Sequence, residues 1–216
     1  MRRKRIIDFF CCGGGAGEGY RRAGFDVVGV DIASRPLRYN PHPCIQADAF
    51  TFPLTGFDAA HASPPCQEHS QLHSNYGAPA DGTGWMLMAI IKRLEAWGGP
   101  YVVENVVGAQ FPWTFQLCGA SFGLGASGLD LNRHRRFKVN FPIEDVPQCC
   151  HRRGQTIGVY GNGTNRWHRE KLGRDITVAE QRKAMGIDWL PRDLLVQAIP
   201  PAYTEYIGRQ LLASLE

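Results

Sequence analysis

The chain has 216 residues, of which 44% are hydrophobic and 20% are charged, and its formal net charge is +4. This length fits one medium-sized domain with an apolar core. No apolar run approaches the roughly 20 residues that span a bilayer, and the basic start precedes too short an apolar stretch for a secretory signal, so we expect neither a membrane protein nor a secreted one.

The seven cysteines are odd in number and include two adjacent pairs, which is atypical of a disulfide framework and favours a reducing compartment. Cys149, Cys150, His151 and His168 are residue types that bind zinc. They lack a C-x2-C pair, however, and we predict no metal site from the sequence.

The chain begins with a pattern typical of a nucleotide-binding βαβ unit. Residues 6–10 form a short apolar run, and the glycine-rich turn 11–19 follows it. A short helix then ends at Gly24, and a second strand over 25–30 carries Asp31 at its tip. Glycines let the backbone approach a ligand closely, and an acid at this point is placed for ribose hydroxyls.

The dinucleotide fingerprint G-x-G-x-x-G is absent from this turn in every register. A nicotinamide-dependent oxidoreductase is therefore disfavoured, and other adenosine ligands stay open. Residues 44–47 predict a third strand, after which Asp48 would lie within reach of an adenine amino group.

A candidate nucleophile follows the next strand. The run Phe57-Asp-Ala-Ala predicts a buried strand, and the segment His61-Ala-Ser-Pro-Pro-Cys-Gln then stops it and holds Cys66 beyond its carboxyl end. Ligands of open α/β sheets collect at that edge. A buried structural cysteine is the alternative interpretation.

Residues 67–84 show no convincing helix or strand and could form a lid beside Cys66. Residues 85–97 have helical periodicity, with Met88, Ile91 and Leu94 predicted to face the core.

The apolar strand predicted over residues 100–107 contains Glu104. A single acid in such a run costs free energy to bury unless it is protonated or paired, which makes Glu104 a functional candidate.

The positive charge is concentrated in residues 133–175, which hold ten basic and four acidic side chains. The segment also contains Tyr160 and Trp167. Its charge fits a polyanion-binding surface and a solvated charged face equally well.

The carboxyl-terminal region predicts two helices. Thr177 and Glu180 have the spacing of a capping box, and Gly186 would end the helix that starts there. Residues 202–215 predict an amphipathic last helix with Ile207, Leu211 and Leu212 facing inward.

The order of several motifs resembles the DNA cytosine-5 methyltransferase family. The motifs are D-F-F-x-x-G-G-G at the first strand, S-P-P-C-Q around Cys66, V-E-N-V around Glu104, and R-H-R at 133–135 before a strand predicted over 137–141. The stretch 174–186 and the Pro-Pro pair before the last helix complete the set. Each motif is weak alone, but the ordered set is specific.

The resemblance implies a covalent mechanism at carbon 5 of cytosine. Cys66 would add to carbon 6, Glu104 would bind N3, and Arg135, supported by Arg133, would contact the pyrimidine oxygen. The target base would be flipped out of its duplex.

The resemblance also implies S-adenosylmethionine as methyl donor. The residues expected to bind it are Phe10, Gly13, Gly14, Gly15, Asp31, Ile32, Asp48, Ala49, Pro65, Gln197 and Ala198. Two positions depart from the family pattern, since Cys12 replaces a glycine and Gln197 replaces an asparagine.

The expected fold is a Rossmann-like methyltransferase domain with a mostly parallel mixed sheet. Residues 1–137 would form the catalytic and cofactor-binding domain, residues 138–173 a reduced target-recognition segment, and residues 174–216 the helices that complete the domain. We expect double-stranded DNA as partner, a monomer, and the cytoplasm of a bacterium or of a phage-infected host. Alternatives are the same chemistry on RNA or a free nucleotide, and a catalytically silent nucleic-acid-binding protein.

Overall fold

The computed structural model describes residues 2–65, 85–152, 155–161, 169–170 and 172–216. The strands are β1 (Arg5–Phe9), β2 (Asp26–Asp31), β3 (Cys44–Gln46), β4 (Ala59–Ala62), β5 (Tyr101–Asn105), β6 (Phe115–Leu117), β7 (Gly125–Ala126), β8 (Leu129–Leu131), β9 (Arg135–Val139) and β10 (Thr156–Ile157). The α-helices are α1 (Gly15–Ala23), α2 (Ser34–Leu37), α3 (Trp85–Trp97), α4 (Val178–Met185), α5 (Arg192–Leu195) and α6 (Pro201–Ala213), and Gly119–Phe122 forms a 3₁₀ turn.

A seven-stranded sheet in the order β3-β2-β1-β4-β5-β9-β6 forms the centre of the molecule. The strands β3, β2, β1, β4 and β5 are parallel to one another. Strand β9 is antiparallel to both β5 and β6. The predicted mostly parallel mixed sheet is confirmed. Because parallel strands end at one edge, the loops after β1, β2, β3, β4 and β5 lie together.

Alternating side chains of the strands bury both faces of this sheet. Ile6 packs in the cluster formed with α1 and α6, and its neighbour Ile7 packs in the cluster on the opposite face, with α3. Ile91 and Leu94 of α3 are buried as predicted. The prediction for Met88 was wrong, because its side chain is 41% exposed and Leu87 and Ile90 are buried instead.

The last helix crosses the first beside the glycine-rich turn. A Cβ at Gly19 would overlap with Thr204 Oγ1 and the Pro201 carbonyl oxygen, so the glycine permits this close approach. The Thr204 hydroxyl donates to the Ala16 carbonyl at 2.8 Å. Helix α6 thus holds the start of α1, and with it the turn, against the sheet.

A small sheet in the order β10-β8-β7 packs on α4 and α5 in a third apolar cluster. The predicted capping box is present, since Thr177 and Glu180 each bond the other's backbone N–H, and Gly186 ends α4 at a φ of 67°. None of the helices among the described residues is long and apolar enough to cross a membrane.

Candidate active site

The candidate site residues meet at the carboxyl edge of the parallel strands. Register places Phe9 of β1 beside Val30 of β2 and Ala62 of β4, and Ala62 beside Val103 of β5. Strand β9 runs the opposite way and begins at Arg135, two residues earlier than predicted. Its first residue therefore lies at the edge where the parallel strands end.

The glycine-rich turn leaves β1 through two left-handed residues, Phe10 at φ 59° and Cys12 at φ 45°. Cys12 stands where the family pattern has glycine, and the chain keeps the glycine-like conformation with a side chain present. The Cys12 amide donates to Asp31 Oδ2 at 2.9 Å. This bond ties the turn to the tip of β2.

Three glycines of the turn fit closely against the rest of the fold. A Cβ on Gly13 would overlap with Leu190, and one on Gly14 with Asn40. One on Gly15 would lie 2.6 Å from the Ile199 carbonyl oxygen. The Trp189 indole also donates to the Gly13 carbonyl at 2.8 Å, a contact that the sequence motifs did not reveal.

Asp31 is held at the mouth of this turn. Its second oxygen, Oδ1, accepts from the Ala33 amide at 2.9 Å, so both oxygens are fixed and each keeps a lone pair for a hydroxyl. The next side chain, Ile32, is 71% exposed. A large aliphatic group standing free beside a fixed carboxylate is suited to contact a flat apolar ring.

Asp48 and Ala49 follow β3 on the same edge. Asp48 is exposed and accepts from the Phe50 amide at 2.8 Å, while Ala49 is buried and its carbonyl accepts from Arg93 at 2.9 Å. The Phe50 ring lies edge-on to Phe10, 5.9 Å between centroids. These contacts place Phe10 and Asp48 in one wall of the candidate cofactor site.

Glu104 and Arg135 form a buried ion pair at the centre of the edge. The Glu104 Oε1 and Arg135 Nε atoms are 2.9 Å apart, and the two residues are 5% and 8% exposed. Among the described residues, no hydrogen bond reaches Oε1, because the guanidinium N–H is not aligned with it. Burial raises the pKa of Glu104, and the charges of Arg135 and Arg133 oppose that rise.

Arg133 is fully buried and binds backbone carbonyls instead of a carboxylate. Its terminal nitrogens donate to the carbonyls of Val159 at 2.7 Å, Val196 at 2.9 Å and Ala198 at 2.6 Å. It therefore joins three stretches of chain behind Arg135. This geometry makes Arg133 a positioning residue.

Asn105 links the Glu104 strand to the loop that leads to Cys66. Its side-chain amide is buried and donates to the Pro64 carbonyl at 3.2 Å, and its Oδ1 accepts from the Val106 amide at 2.9 Å. Sequence reasoning assigned it no role, although it stands inside the V-E-N-V motif. Pro65 lies half-buried at the end of this loop, whereas Cys66 and the predicted lid 67–84 lie outside the described residues.

The two residues expected from the last motif differ in their surroundings. Gln197 is exposed and its amide donates to the Asp193 carbonyl at 3.0 Å. Ala198 is buried, and its carbonyl is one of those bound by Arg133. Ala198 also approaches Gly15, since a Cβ there would lie 3.2 Å from that of Ala198.

Solved structures of methyltransferases share this fold over the whole chain. The S. pombe Dnmt2 methyltransferase superposes with a TM-score of 0.67 at 13% identity, and the Entamoeba histolytica methyltransferase EhMeth with 0.64 at 11%. Both comparisons cover 100% of each chain. A mutant of Spodoptera frugiperda DNMT2 gives 0.60 at 13%, covering 98% of this chain and 99% of the other.

The chain has the Rossmann-like fold of these methyltransferases. No family model matches the sequence, and no curated protein matches it either. At identities this low, the structural similarity establishes the fold, and the reaction has to be inferred from the residues of the site.

In its described part, the basic segment 133–175 is not a continuous free basic surface. Arg133 and Arg135 are buried, and Arg136 donates to the Val107 carbonyl at 2.8 Å with its guanidinium over Trp113. Others form ion pairs: Arg152 with Asp130, Arg169 with Asp175, and Arg174 with Glu180. Many of the basic side chains in this segment therefore make contacts within the protein.

Proposed function

We propose that this protein transfers a methyl group from S-adenosylmethionine to carbon 5 of cytosine in DNA. The observation that carries the proposal is the buried Glu104–Arg135 pair at the carboxyl edge. Asn105, the next residue along β5, anchors the loop that leads to Cys66. A binding protein needs neither a buried carboxyl group nor a nucleophile on this edge.

Cys66 acts as the nucleophile. Carbon 5 of cytosine is unreactive until a group adds to carbon 6, and a thiolate suits this step because it adds near neutral pH and leaves again. After carbon 5 has been methylated, a base removes the proton that carbon 5 still carries, and the bond from Cys66 to carbon 6 breaks. The Asn105 bond to the Pro64 carbonyl limits how far the start of this loop can move.

Glu104 stabilises the charge that this addition places on the ring. Because burial raises its pKa, the carboxyl group can hold a proton and donate it towards N3. Arg135 lies beside it, ready to contact the pyrimidine oxygen. Arg133 holds the chain on which Arg135 stands.

The cofactor wall fits an adenosine group. Asp31 presents two fixed oxygens to the ribose hydroxyls. Ile32 is 71% exposed and can pack against the adenine ring, and the exposed Asp48 can accept from the adenine amino group. Phe10, Gly13, Gly14, Gly15, Ala49, Pro65, Gln197 and Ala198 complete the proposed site. The bound cofactor supplies an activated methyl group on a sulfonium.

We propose double-stranded DNA as the substrate, with the target base flipped out. Residues 138–173 serve as a reduced recognition segment between the catalytic domain, residues 1–137, and the closing helices, residues 174–216. Base readout needs several side chains aimed into a groove, so a segment this short favours a short or relaxed recognition sequence.

The test supplies methyl-labelled S-adenosylmethionine with duplex DNA, RNA of the same sequence, or deoxycytidine monophosphate. We expect label in DNA as 5-methylcytosine, abolished by Cys66→Ala and lowered at least about 100-fold by Glu104→Gln. Cys150→Ser is the matched control, because Cys150 is exposed and plays no role in the proposal.

A second measurement uses DNA containing 5-fluorocytosine. Fluorine cannot leave carbon 5 as a proton does, so the adduct with Cys66 should survive denaturation and be absent from Cys66→Ala. Label in RNA alone would replace DNA by RNA as substrate. Cofactor binding without label in any acceptor would favour the silent binding protein.

A further inference from the structure

Four side chains of the zinc-binding types converge beside the start of β9, next to the proposed active site. They are Cys118, His134, Cys149 and His151, and their ligand atoms all lie within 4.8 Å of one another. The sequence predicted no metal site, because the candidate ligands Cys149, Cys150, His151 and His168 lack a C-x2-C pair. Cys118 and His134 complete the set of four, while His168 lies outside the described residues.

The four residues come from three separate stretches of chain. Cys118 directly follows β6 and precedes the 3₁₀ turn, and His134 lies in the link between β8 and β9. Cys149 and His151 lie in residues 140–152, which contain no regular secondary structure. Only the antiparallel pairing of β6 with β9 brings the first two together.

Three of the six distances between the ligand atoms are close to the edges of a coordination tetrahedron. His134 Nε2 lies 3.3 Å from Cys149 Sγ. His151 Nδ1 lies 3.1 Å from that sulfur and 3.4 Å from Cys118 Sγ. A tetrahedral Zn²⁺ with ordinary bond lengths places sulfur and nitrogen ligands about 3.6 Å apart.

The donor set also indicates which metal is bound. Two sulfurs and two imidazole nitrogens in a tetrahedral arrangement are typical of zinc, whereas calcium and magnesium prefer oxygen ligands. Four protein ligands fill the coordination sphere and leave no position for water or substrate. Such closed sites are structural.

We propose that Cys118, His134, Cys149 and His151 bind one structural Zn²⁺. On binding, the two thiols lose their protons to solvent and the thiolates and neutral imidazoles each donate a lone pair, so the completed site is uncharged. The ion fastens the irregular stretch 140–152 to the end of the central sheet. The Ser121 hydroxyl, which donates to the Gln148 carbonyl at 2.6 Å, links the same two segments.

The metal also fixes the candidate catalytic arginine. His134 stands between Arg133 and Arg135, and its own carbonyl accepts from Arg135 Nη1 at 2.8 Å. A zinc bond to the imidazole therefore limits motion of the backbone that presents Arg135 to Glu104. This consequence rests on the proposed function, whereas the metal site itself does not.

The first test measures metal in the purified full-length chain by inductively coupled plasma mass spectrometry. We expect about one zinc per chain in the wild type and in Cys150→Ser, whose exposed sulfur neighbours the cluster without belonging to it. Cys149→Ser and His134→Asn should each lose most of that zinc. Iron in place of zinc, or equal zinc loss in Cys150→Ser, would overturn the proposal.

A second test needs no variant and no methyl transfer. After chelation of the metal under reducing conditions, the wild-type chain is titrated with Co²⁺. We expect the strong visible absorption of tetrahedral cobalt and thiolate-to-cobalt charge-transfer bands, both removed by one equivalent of Zn²⁺. Weak octahedral absorption, or a disulfide between Cys118 and Cys149 in the purified protein, would refute the site even if methyl transfer is found.

Discussion

The parallel and antiparallel halves of the β-structure are stabilised in different ways. The parallel half, residues 5–105, is held by alternating apolar side chains packed against helices on both faces. The antiparallel half, residues 115–161, has short strands and long irregular links. There, side chains bind backbone carbonyls, as Arg133, Arg136 and Ser121 do.

This difference shows how buried backbone carbonyls obtain hydrogen-bond donors where regular secondary structure is sparse. A buried carbonyl needs a donor, and where no strand or helix supplies one, a long polar side chain replaces it. The candidate active site lies where the halves meet, with Glu104 from β5 and Arg135 from β9. The chemistry therefore depends on both kinds of stabilisation.

The largest expected effect on the fold comes from Arg133→Met, which would break the antiparallel half. Three carbonyls would lose their donor, and each unsatisfied buried acceptor costs about 1–3 kcal/mol. We expect the free energy of unfolding in urea to fall by at least about 3 kcal/mol. The control Arg174→Met removes an exposed ion pair and should cost less than about 1 kcal/mol; equal losses would contradict the carbonyl-binding role.

Gly19→Ala should have the next largest effect, in the parallel half. The new methyl group would force α1 away from α6, and such overpacking costs about 1–3 kcal/mol. Gly17→Ala is the matched control in the same helix, since its nearest atoms are 3.1–3.3 Å away. Thermal unfolding should separate the two variants, and no difference between them would contradict the close helix crossing.

A pH profile tests the polar groups buried inside the parallel half. Burial raises the pKa of Asp8 to about 8 and lowers that of His61, opposite it on β4, to about 3. Folded Asp8 thus keeps its proton where the unfolded chain has lost it, and stability falls as pH rises towards 8. His61 has the opposite effect, but only below about pH 6.5, where the unfolded residue is charged.

Between pH 6.5 and 8, only Asp8 of these two residues changes the free energy of unfolding. We expect the wild type to lose about 2 kcal/mol relative to Asp8→Asn over this window, measured by urea unfolding at both pH values. Parallel profiles for the two proteins would show that Asp8 is ionised in the fold at neutral pH.

The smallest expected effect is that of Cys12→Gly in the glycine-rich turn. Relief of the left-handed conformation gains about 1–2 kcal/mol, and the added freedom of the unfolded chain costs about 0.5–1 kcal/mol. A net gain below about 1 kcal/mol should appear in urea unfolding. The control Asp145→Gly, at φ 51°, should behave alike, and a clear loss for Cys12→Gly alone would mean that its side chain contributes packing that outweighs the strain.

Local patterns predicted the parallel half and the helix α4 well. The glycine-rich turn, Asp31 at the tip of β2, α3, the capping box at Thr177 and the turn at Gly186 are all present where short-range signals indicated them. Element ends were less well predicted, since the strand expected over 100–107 spans only Tyr101–Asn105. The buried face of α3 was placed one residue off at Met88. Apolar residues occupy more than one face of this helix, so the periodicity alone does not decide which four are buried.

The sequence by itself indicated the parallel strands, the first and last helices and the mostly parallel fold class, because the apolar runs, glycine turns and caps that signal them are local. Tertiary structure alone decided the pairing of Glu104 with Arg135, the three carbonyls bound by Arg133, and the convergence of Cys118 and His134 with Cys149 and His151. These partners lie far apart in the chain. The reversal of β9 against β5 brings Glu104 and Arg135 together, and no local periodicity encodes that reversal.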